Sequence, residues 1–226
     1  MSQHHALQFP GESAAYRSAR DALLEAESAL RRQLENVAAL RRTLPPGGAL
    51  AQDYDFADAA TGEQVRLSEL FSPGHDTLVV YGYMYAPQAA APCPLCTSML
   101  DSLAGAAAHL AQHLDLVVVA KAAPQQLKAV ADERGWGGLR LLSWGNTTFG
   151  RDYLTETADG AQMPMLNVFQ RSASGIHHAW GSELLYAPRE PGLHSRHVDL
   201  MWPLWNVLDF TPAGRGGDWL PRLHYD

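Results

Sequence analysis

The chain has 226 residues, of which 46% are hydrophobic and 18% charged, a composition typical of one globular domain with an appendage. Its formal net charge of -7 gives neither nucleic acid nor an anionic membrane an electrostatic attraction as a partner. The sequence has no apolar run of about 18 residues, and its N-terminus lacks a charged segment followed by an apolar one. We therefore predict a cytoplasmic protein with no nucleic-acid partner and no membrane contact.

The N-terminal part of the chain predicts one long helix. Residues 1–11 are expected to be a mobile terminus, and residues 12–48 an amphipathic helix with a linker. Leu23, Leu30 and Val37 recur every seven residues on one side of this helix, which the Pro-Pro-Gly-Gly sequence at 45–48 ends. The apolar stripe indicates either a helix packed across the following domain or a homodimer formed through a short coiled coil.

Residues 49–212 alternate between strand and helix patterns. Entry strands are predicted at 54–56 and 65–67, buried strands at 77–83, 114–120 and 139–143, and a hairpin at 165–169 and 176–180. Helices are predicted at 68–71, 94–113, 124–134 and, interrupted by Pro203, 196–208. The order βαβ followed by ββα predicts an α/β thioredoxin-like fold, a central mixed sheet flanked by helices. Residues 213–226 form a predicted tail.

The two cysteines of the chain, Cys93 and Cys96, lie at the start of the predicted helix at 94–113. Unpaired N–H groups and the positive end of the helix dipole favour a thiolate at such a position, so Cys93 is the predicted nucleophile. Cys96 lies about one helical turn later and is the predicted resolving thiol. Because no other cysteine could staple distant loops, the pair is typical of a catalytic dithiol in a reducing compartment.

Residues around the dithiol are predicted to support it. Pro94 and Leu95, the pair between the cysteines, affect how well the helix end stabilises the thiolate and thereby tune the redox couple. Tyr83 and Tyr85 alternate with Tyr81 along the preceding segment, so one face of that segment is predicted to line the approach to Cys93. The tryptophans of the chain are expected in the core, with Trp136, Trp144, Trp202 and Trp205 as the candidates.

Several segments resemble the thioredoxin-like family of unknown function described as predicted dithiol-disulfide oxidoreductases. They are YRSARDALLEAESALRRQL at 16–34, DYDF at 53–56, LSELF at 67–71, YMYAPQAAAPCPLCTSMLD at 83–101, Gly135-Trp136 and LDFTPAGRGGDW at 208–219. The resemblance implies a thioredoxin fold and dithiol chemistry at Cys93 and Cys96. In that fold the position of Pro164 holds a cis proline facing the dithiol, so we expect a cis bond between Met163 and Pro164 and backbone groups there that pair with an extended substrate.

The function predicted from these observations is thiol-disulfide exchange with a protein or small-molecule disulfide, followed by re-reduction by an external thiol. No organic cofactor and no metal are predicted. A Cys2His2 zinc site would require the chain to bring His194 and His197 to the dithiol, whereas the other histidines are expected on loops or at a helix end. A thiol-dependent peroxidase and a non-catalytic binding module are the alternative functions.

Overall fold

A computed structural model describes residue 5 and residues 7–186, 199–215 and 219–225 of the chain. These residues belong to two compact units, Met1–Pro45 and Pro46–Asp226. No helix within the described ranges is long and apolar enough to cross a membrane.

In the described residues of the first unit, the chain forms one long helix, α1 (Ala14–Arg42). It begins at Ser13, whose hydroxyl accepts a hydrogen bond from the Tyr16 N–H at 3.1 Å, the usual role of serine at a helix start. Arg17 and Asp21, four residues apart, form an ion pair on its surface at 3.1 Å. The helix ends before the proline pair, as the sequence predicts. The homodimer through its apolar stripe stays a prediction.

The second unit is built on one seven-stranded sheet with the order β2-β1-β5-β4-β3-β6-β7. The strands are β1 (Asp55–Asp58), β2 (Gln64–Arg66), β3 (Thr77–Gly82), β4 (Asp115–Ala120), β5 (Arg140–Ser143), β6 (Met165–Ser172) and β7 (Gly175–Gly181).

Parallel pairing in the middle of the sheet and antiparallel pairing at its sides give the sheet its mixed character. β3 pairs with β4 and β4 with β5 in parallel, whereas β6 runs antiparallel to β3 and β7 antiparallel to β6. β1 adds an antiparallel edge to β5, and β2 pairs with β1. β3 therefore joins the βαβ half to the ββα half, because it pairs with β4 on one side and with β6 on the other, and the predicted α/β thioredoxin-like fold is confirmed.

The helices of this unit connect the strands. They are α2 (Pro94–Ala104), α3 (Ala107–Leu110), α4 (Pro124–Arg134), α5 (Phe149–Asp152) and α6 (Pro203–Asp209), with 3-10 turns at Leu67–Leu70, Glu183–Leu185 and Asp199–Met201. α4 ends at Gly135, which takes the left-handed conformation (φ 69°) that glycine adopts without strain.

The helices differ from the prediction in two places. The single helix predicted at 94–113 is interrupted at Gly105 and Ala106, because the chain turns there to bury Ala107 against Gly138, whose missing side chain makes room for it. The short α5 was not predicted. Residues 196–198 of the last predicted helix lie outside the described residues.

The core of this unit lies on both faces of the sheet, because alternate strand residues point to opposite sides. We call one the dithiol face; among its buried residues are Tyr81, Cys96, Met99, Leu127, Trp136, Trp202 and Trp205. We call the other the aromatic face; among its buried residues are Tyr54, Phe56, Trp144, Phe149, Tyr153 and Phe169. The four tryptophans expected in the core are thus buried.

The two histidines of the hairpin lie on the strand predicted at 176–180 and not on a loop. His177 and His178 are residues of β7, opposite Gln170 and Phe169 of β6. A ring nitrogen of His178 lies 2.8 Å from the side-chain oxygen of Asn167. Burial lowers the pKa of His178, so its ring serves as a neutral partner in the packing of the hairpin.

Candidate active site at the dithiol

The segment between β3 and α2 carries the chain from the sheet to the cysteines, and backbone hydrogen bonds hold it at three points. The Tyr83 N–H donates to the carbonyl of Val119 at 2.8 Å, and the Ala122 N–H donates to the carbonyl of Tyr85 at 2.9 Å. The Cys93 N–H donates to the carbonyl of Met84 at 3.0 Å. The entry to α2 is therefore fixed to the ends of β3 and β4.

Cys93 is the residue that precedes the first turn of α2, with extended backbone (φ -62°, ψ 122°), and Pro94 is the first helical residue. Proline fits this position because its fixed φ suits a helix and because it has no N–H to leave unpaired. The first backbone donors of the helix are therefore those of Leu95 and Cys96. Both donate to the Cys93 sulfur.

The two thiols are free and lie 3.6 Å apart. Cys93 is partly exposed, whereas Cys96 is only 4% exposed. The hydrogen bond from the Cys96 thiol, together with the two N–H groups and against the opposing effect of burial, lowers the pKa of Cys93 from 9.0 to about 6. About nine-tenths of Cys93 is then thiolate at pH 7, one pH unit above that pKa.

Cys96 has the opposite ionisation. Its hydrogen bond to the Cys93 sulfur, its burial and the charge of Cys93 raise its pKa well above the ordinary value. Hydrogen bonds from the Tyr81 hydroxyl and the Met84 N–H to its sulfur act in the other direction. The site thus holds one accessible thiolate and one buried thiol that retains its proton.

A chain of hydrogen bonds that the sequence did not indicate links the core to Cys93. The Tyr83 and Thr97 hydroxyl oxygens lie 2.7 Å apart, and the Thr97 hydroxyl donates to the Cys93 carbonyl at 2.9 Å. A threonine in a helix often donates to the carbonyl four residues earlier, so the spacing of Thr97 from Cys93 was the available signal. The contact between Thr97 and Tyr83 depends on the tertiary fold, so no sequence signal predicts it.

The tyrosines do not line an open approach to Cys93. Tyr83 is 1% exposed and Tyr85 is 7% exposed, and their rings meet edge to face with centroids 6.2 Å apart. Tyr83 also packs edge to face on Trp136, with ring centroids 5.9 Å apart. Both tyrosines therefore support the dithiol from inside the core and offer little surface to a substrate.

Met163 and Pro164 lie just before β6, whose first residue, Met165, is opposite Gly82 at the end of β3. This places both at the edge of the sheet from which the chain continues to the dithiol. The expected cis bond is not present, because every peptide bond is trans in the part of the chain that the structure describes. The Met163 N–H donates to the Thr155 carbonyl at 2.9 Å, which holds the chain extended as it enters β6 and accommodates a trans bond.

A metal site would need more ligands than the dithiol supplies, since structural zinc usually takes four. Within the described residues, no three His, Cys, Asp or Glu side chains form a group that could hold a metal ion. His194 and His197, the candidates to complete a Cys2His2 set, lie outside those residues.

A thioredoxin-like α/β fold, with a free dithiol at the start of the helix that follows the central strand, defines the class of this protein. Its family is shown by the sequence: residues 7–225 match the family described as bacterial protein of unknown function (DUF899), and the chain belongs to it. No functionally curated protein matches the chain.

Solved structures similar to this chain include three whose sequences are distant from it. AhpC of Enterococcus faecalis is 15% identical over 78% of this chain and 98% of its own, with a TM-score of 0.47. A secreted disulfide oxidoreductase of Mycobacterium tuberculosis, described as homologous to E. coli DsbE, is 13% identical over 66% and 92%, with a TM-score of 0.41. An uncharacterized conserved protein of Geobacillus kaustophilus is 17% identical over 69% and 78%, with a TM-score of 0.45. Similarity at this level does not identify a function.

Proposed function

We propose that this protein is a thiol-disulfide oxidoreductase in which Cys93 attacks and Cys96 resolves. The observation that carries the proposal is the pair of adjacent free thiols at the start of α2, of which Cys93 is partly exposed and Cys96 is buried. Hydrogen bonds from the Cys96 thiol and from two backbone N–H groups to the Cys93 sulfur lower the pKa of Cys93, and the same contact raises the pKa of Cys96. A nucleophile must be ionised and reachable, whereas a resolving thiol must stay protonated until the first bond has formed. A pair of thiols held for structure alone would need neither property.

The reaction uses two displacements at sulfur. The Cys93 thiolate attacks one sulfur of a substrate disulfide, the substrate S–S bond breaks, and one substrate thiolate leaves and takes a proton from water. Cys96 then loses its proton to solvent and attacks the Cys93 sulfur, which releases the second substrate thiol and leaves a Cys93–Cys96 disulfide. The substrate is thereby reduced by two electrons, and an external thiol reductant restores the dithiol. We propose a protein or small-molecule disulfide as substrate and the cytoplasm as the compartment.

Alkylation tests the proposal at its first step. The reduced protein is treated with iodoacetamide from pH 4.5 to 9.5, and mass spectrometry measures the rate at Cys93. We expect a midpoint near pH 6. The Cys96→Ala variant is the matched control, and we expect its midpoint to be higher because Cys93 loses the hydrogen bond that lowers its pKa most. A midpoint near that of a free cysteine in the unaltered protein would contradict the proposal and favour a non-catalytic binding module.

Turnover tests the assignment of roles. In an insulin-disulfide reduction assay we expect Cys93→Ser to lose activity by about a thousandfold or more, since no other thiol in the chain is ionised at neutral pH. Cys96→Ser should accumulate a mixed disulfide on Cys93. Full activity in Cys93→Ser would overturn the mechanism. If hydrogen peroxide oxidises Cys93 to a sulfenic acid faster than disulfides react with it, the protein is a peroxidase that uses the same nucleophile.

A further inference from the structure

Tyr81 lies directly behind the resolving cysteine. It is the last residue but one of β3, its side chain belongs to the dithiol face, and only 1% of it is exposed. Its hydroxyl hydrogen-bonds the Cys96 sulfur, which is itself buried on the same face. A buried phenol needs a hydrogen-bond partner, and here that partner is one of the two sulfurs that would react.

The surroundings of Cys96 change between the two displacements. In the reduced protein its thiol donates to the Cys93 thiolate, and the charge of that thiolate disfavours a second one beside it. Once Cys93 is bonded to a substrate sulfur, this negative charge is gone. The groups still acting on the Cys96 sulfur are its apolar surroundings, which oppose ionisation, and the two donors Tyr81 and Met84, which favour it.

We propose that Tyr81 is a positioning residue for the second displacement: its hydroxyl donates a hydrogen bond to the Cys96 sulfur and stabilises the resolving thiolate as it forms. This inference rests on the proposed thiol-disulfide exchange. In the step itself Cys96 gives its proton to solvent, the new S–S bond to Cys93 forms, and the substrate leaves as a thiolate that is protonated by water. Tyr81 keeps its own proton throughout, since burial and the nearby sulfurs raise the pKa of its phenol well above the ordinary value.

Within the described residues, titratable groups that act on Tyr81 and Cys96 lie at the entry to α2 and just after β3. Cys93 of the α2 entry raises the pKa of both groups, and Tyr83, which follows β3, raises the pKa of Tyr81. The Tyr83 hydroxyl, however, is hydrogen-bonded to Thr97, 2.7 Å away. Tyr83→Phe therefore removes a neighbouring buried hydroxyl without removing the donor to the Cys96 sulfur, and it is the matched control for Tyr81→Phe.

Reaction with 5,5′-dithiobis(2-nitrobenzoic acid) separates the two displacements, because each releases one coloured thiolate. We measure both phases by stopped flow from pH 5.5 to 9.5. In Tyr81→Phe we expect the first phase to stay within about twofold of the unaltered rate, and the second to slow by about tenfold or more, since a hydrogen bond to a charged atom is lost. The pH midpoint of the second phase should rise by about one unit. Tyr83→Phe should leave that midpoint unchanged.

Three outcomes would overturn the inference: a second phase at the unaltered rate in Tyr81→Phe, equal slowing of both phases, or an unchanged pH midpoint. Absence of the first phase in the unaltered protein would instead remove the proposed function itself, so the two failures are distinguishable. If Tyr81→Phe does not fold, the protein with 3-fluorotyrosine at position 81 tests the same inference. Its hydroxyl is the more acidic donor, so the midpoint of the second phase should fall, and a midpoint that does not fall would contradict the inference.

Discussion

The two faces of the sheet use buried polar groups for different purposes. On the dithiol face, the hydroxyls of Tyr81, Tyr83 and Thr97 lead to the sulfurs or to the carbonyl of Cys93. On the aromatic face, the Tyr54 hydroxyl donates to the Asp152 carboxylate at 2.7 Å, far along the chain. The polar groups of one face therefore act on the dithiol, while that of the other holds a loop to the sheet, so variants on the two faces should separate activity from stability.

The largest effect on stability should come from the centre of the aromatic face. Phe149 is fully buried, and its ring centroid lies 5.1 Å from that of Phe56 and 5.3 Å from that of Tyr54. Because a large cavity would remain, we expect Phe149→Ala to lower the free energy of unfolding by about 3 to 5 kcal/mol in urea titrations.

The same variant tests whether the faces are independent. The midpoint of Cys93 alkylation in folded Phe149→Ala should equal that of the unaltered protein, because no aromatic-face residue contributes to the lowered pKa of Cys93. A midpoint shifted by about half a pH unit or more would show that the aromatic face also adjusts the dithiol.

A smaller loss of stability, coupled to a change in reactivity, is expected from Thr97→Val. The substitution nearly preserves shape but removes the Thr97 hydroxyl from the buried Tyr83 hydroxyl, and it leaves the Cys93 carbonyl with only the Thr97 N–H, at 3.0 Å, as a donor from that residue. We expect unfolding to be easier by about 1 to 3 kcal/mol. The alkylation midpoint of Cys93 should rise, since the start of α2 loses an anchor. Tyr83→Phe leaves Thr97 free to donate to Cys93, so it should lower the free energy of unfolding by less. Equal losses in the two variants would contradict this interpretation of the hydrogen bonds.

The pH dependence of stability should also distinguish the dithiol face. The pKa of Cys93 is about 6 in the folded protein and has its ordinary value of 9.0 in the unfolded chain. Between these two pH values the folded protein therefore binds fewer protons than the unfolded chain. The resulting stability is full above the ordinary pKa and is lost as the pH falls through about 6. Between pH 5.5 and 8.5, the free energy of unfolding of the reduced protein should therefore rise by about 1 to 2 kcal/mol relative to that of Cys93→Ser, after allowance for solvent screening at a partly exposed sulfur.

Urea titrations of both proteins under strictly reducing conditions measure this gain. Above pH 9 the stability of the reduced protein should fall with rising pH instead of increasing. The raised pKa of Cys96 keeps a proton on the folded protein there that the unfolded chain releases. A difference between the two proteins that does not vary with pH below 9 would contradict the lowered pKa of Cys93.

The sequence predicts the position of the dithiol and the order of the strands because both are local signals. The strand pattern before Cys93, the proline after it and the apolar runs at 77–83 and 114–120 each act over a few residues. The trans bond before Pro164 was mispredicted because the two isomers differ by only about 1 kcal/mol, which tertiary contacts decide. The interruption at Gly105 has a similar origin, since the alanine-rich segment favours a continuous helix, whereas the tertiary fold buries Ala107 close to Gly138.

Sequence reasoning could likewise predict only part of the electrostatics of the site, because the rest depends on tertiary contacts. The direction of the Cys93 pKa shift could be anticipated because the N–H groups at a helix start favour a thiolate, although the hydrogen bond from the Cys96 thiol lowers that pKa most. The hydrogen bonds of Tyr81 to Cys96 and of Tyr83 to Thr97 join β3 and the segment just after it to α2, across 14 or more residues, and they depend on how α2 lies on β3. An alternating row of tyrosines predicts a face, but it does not predict which hydroxyl reaches which sulfur.

The smallest expected effect is on the aromatic face and provides the closest match to Tyr81→Phe. Tyr54→Phe also removes one hydroxyl from a buried ring, but that hydroxyl bonds Asp152, which keeps the Thr148 hydroxyl as a second donor at 2.5 Å. We therefore expect a loss of about 1 kcal/mol in the free energy of unfolding. Both phases of the reaction with 5,5′-dithiobis(2-nitrobenzoic acid) should keep their rates and pH midpoints. If Tyr54→Phe slowed the second phase as Tyr81→Phe is expected to, loss of any buried phenol would suffice, and the contrast between the two faces would not hold.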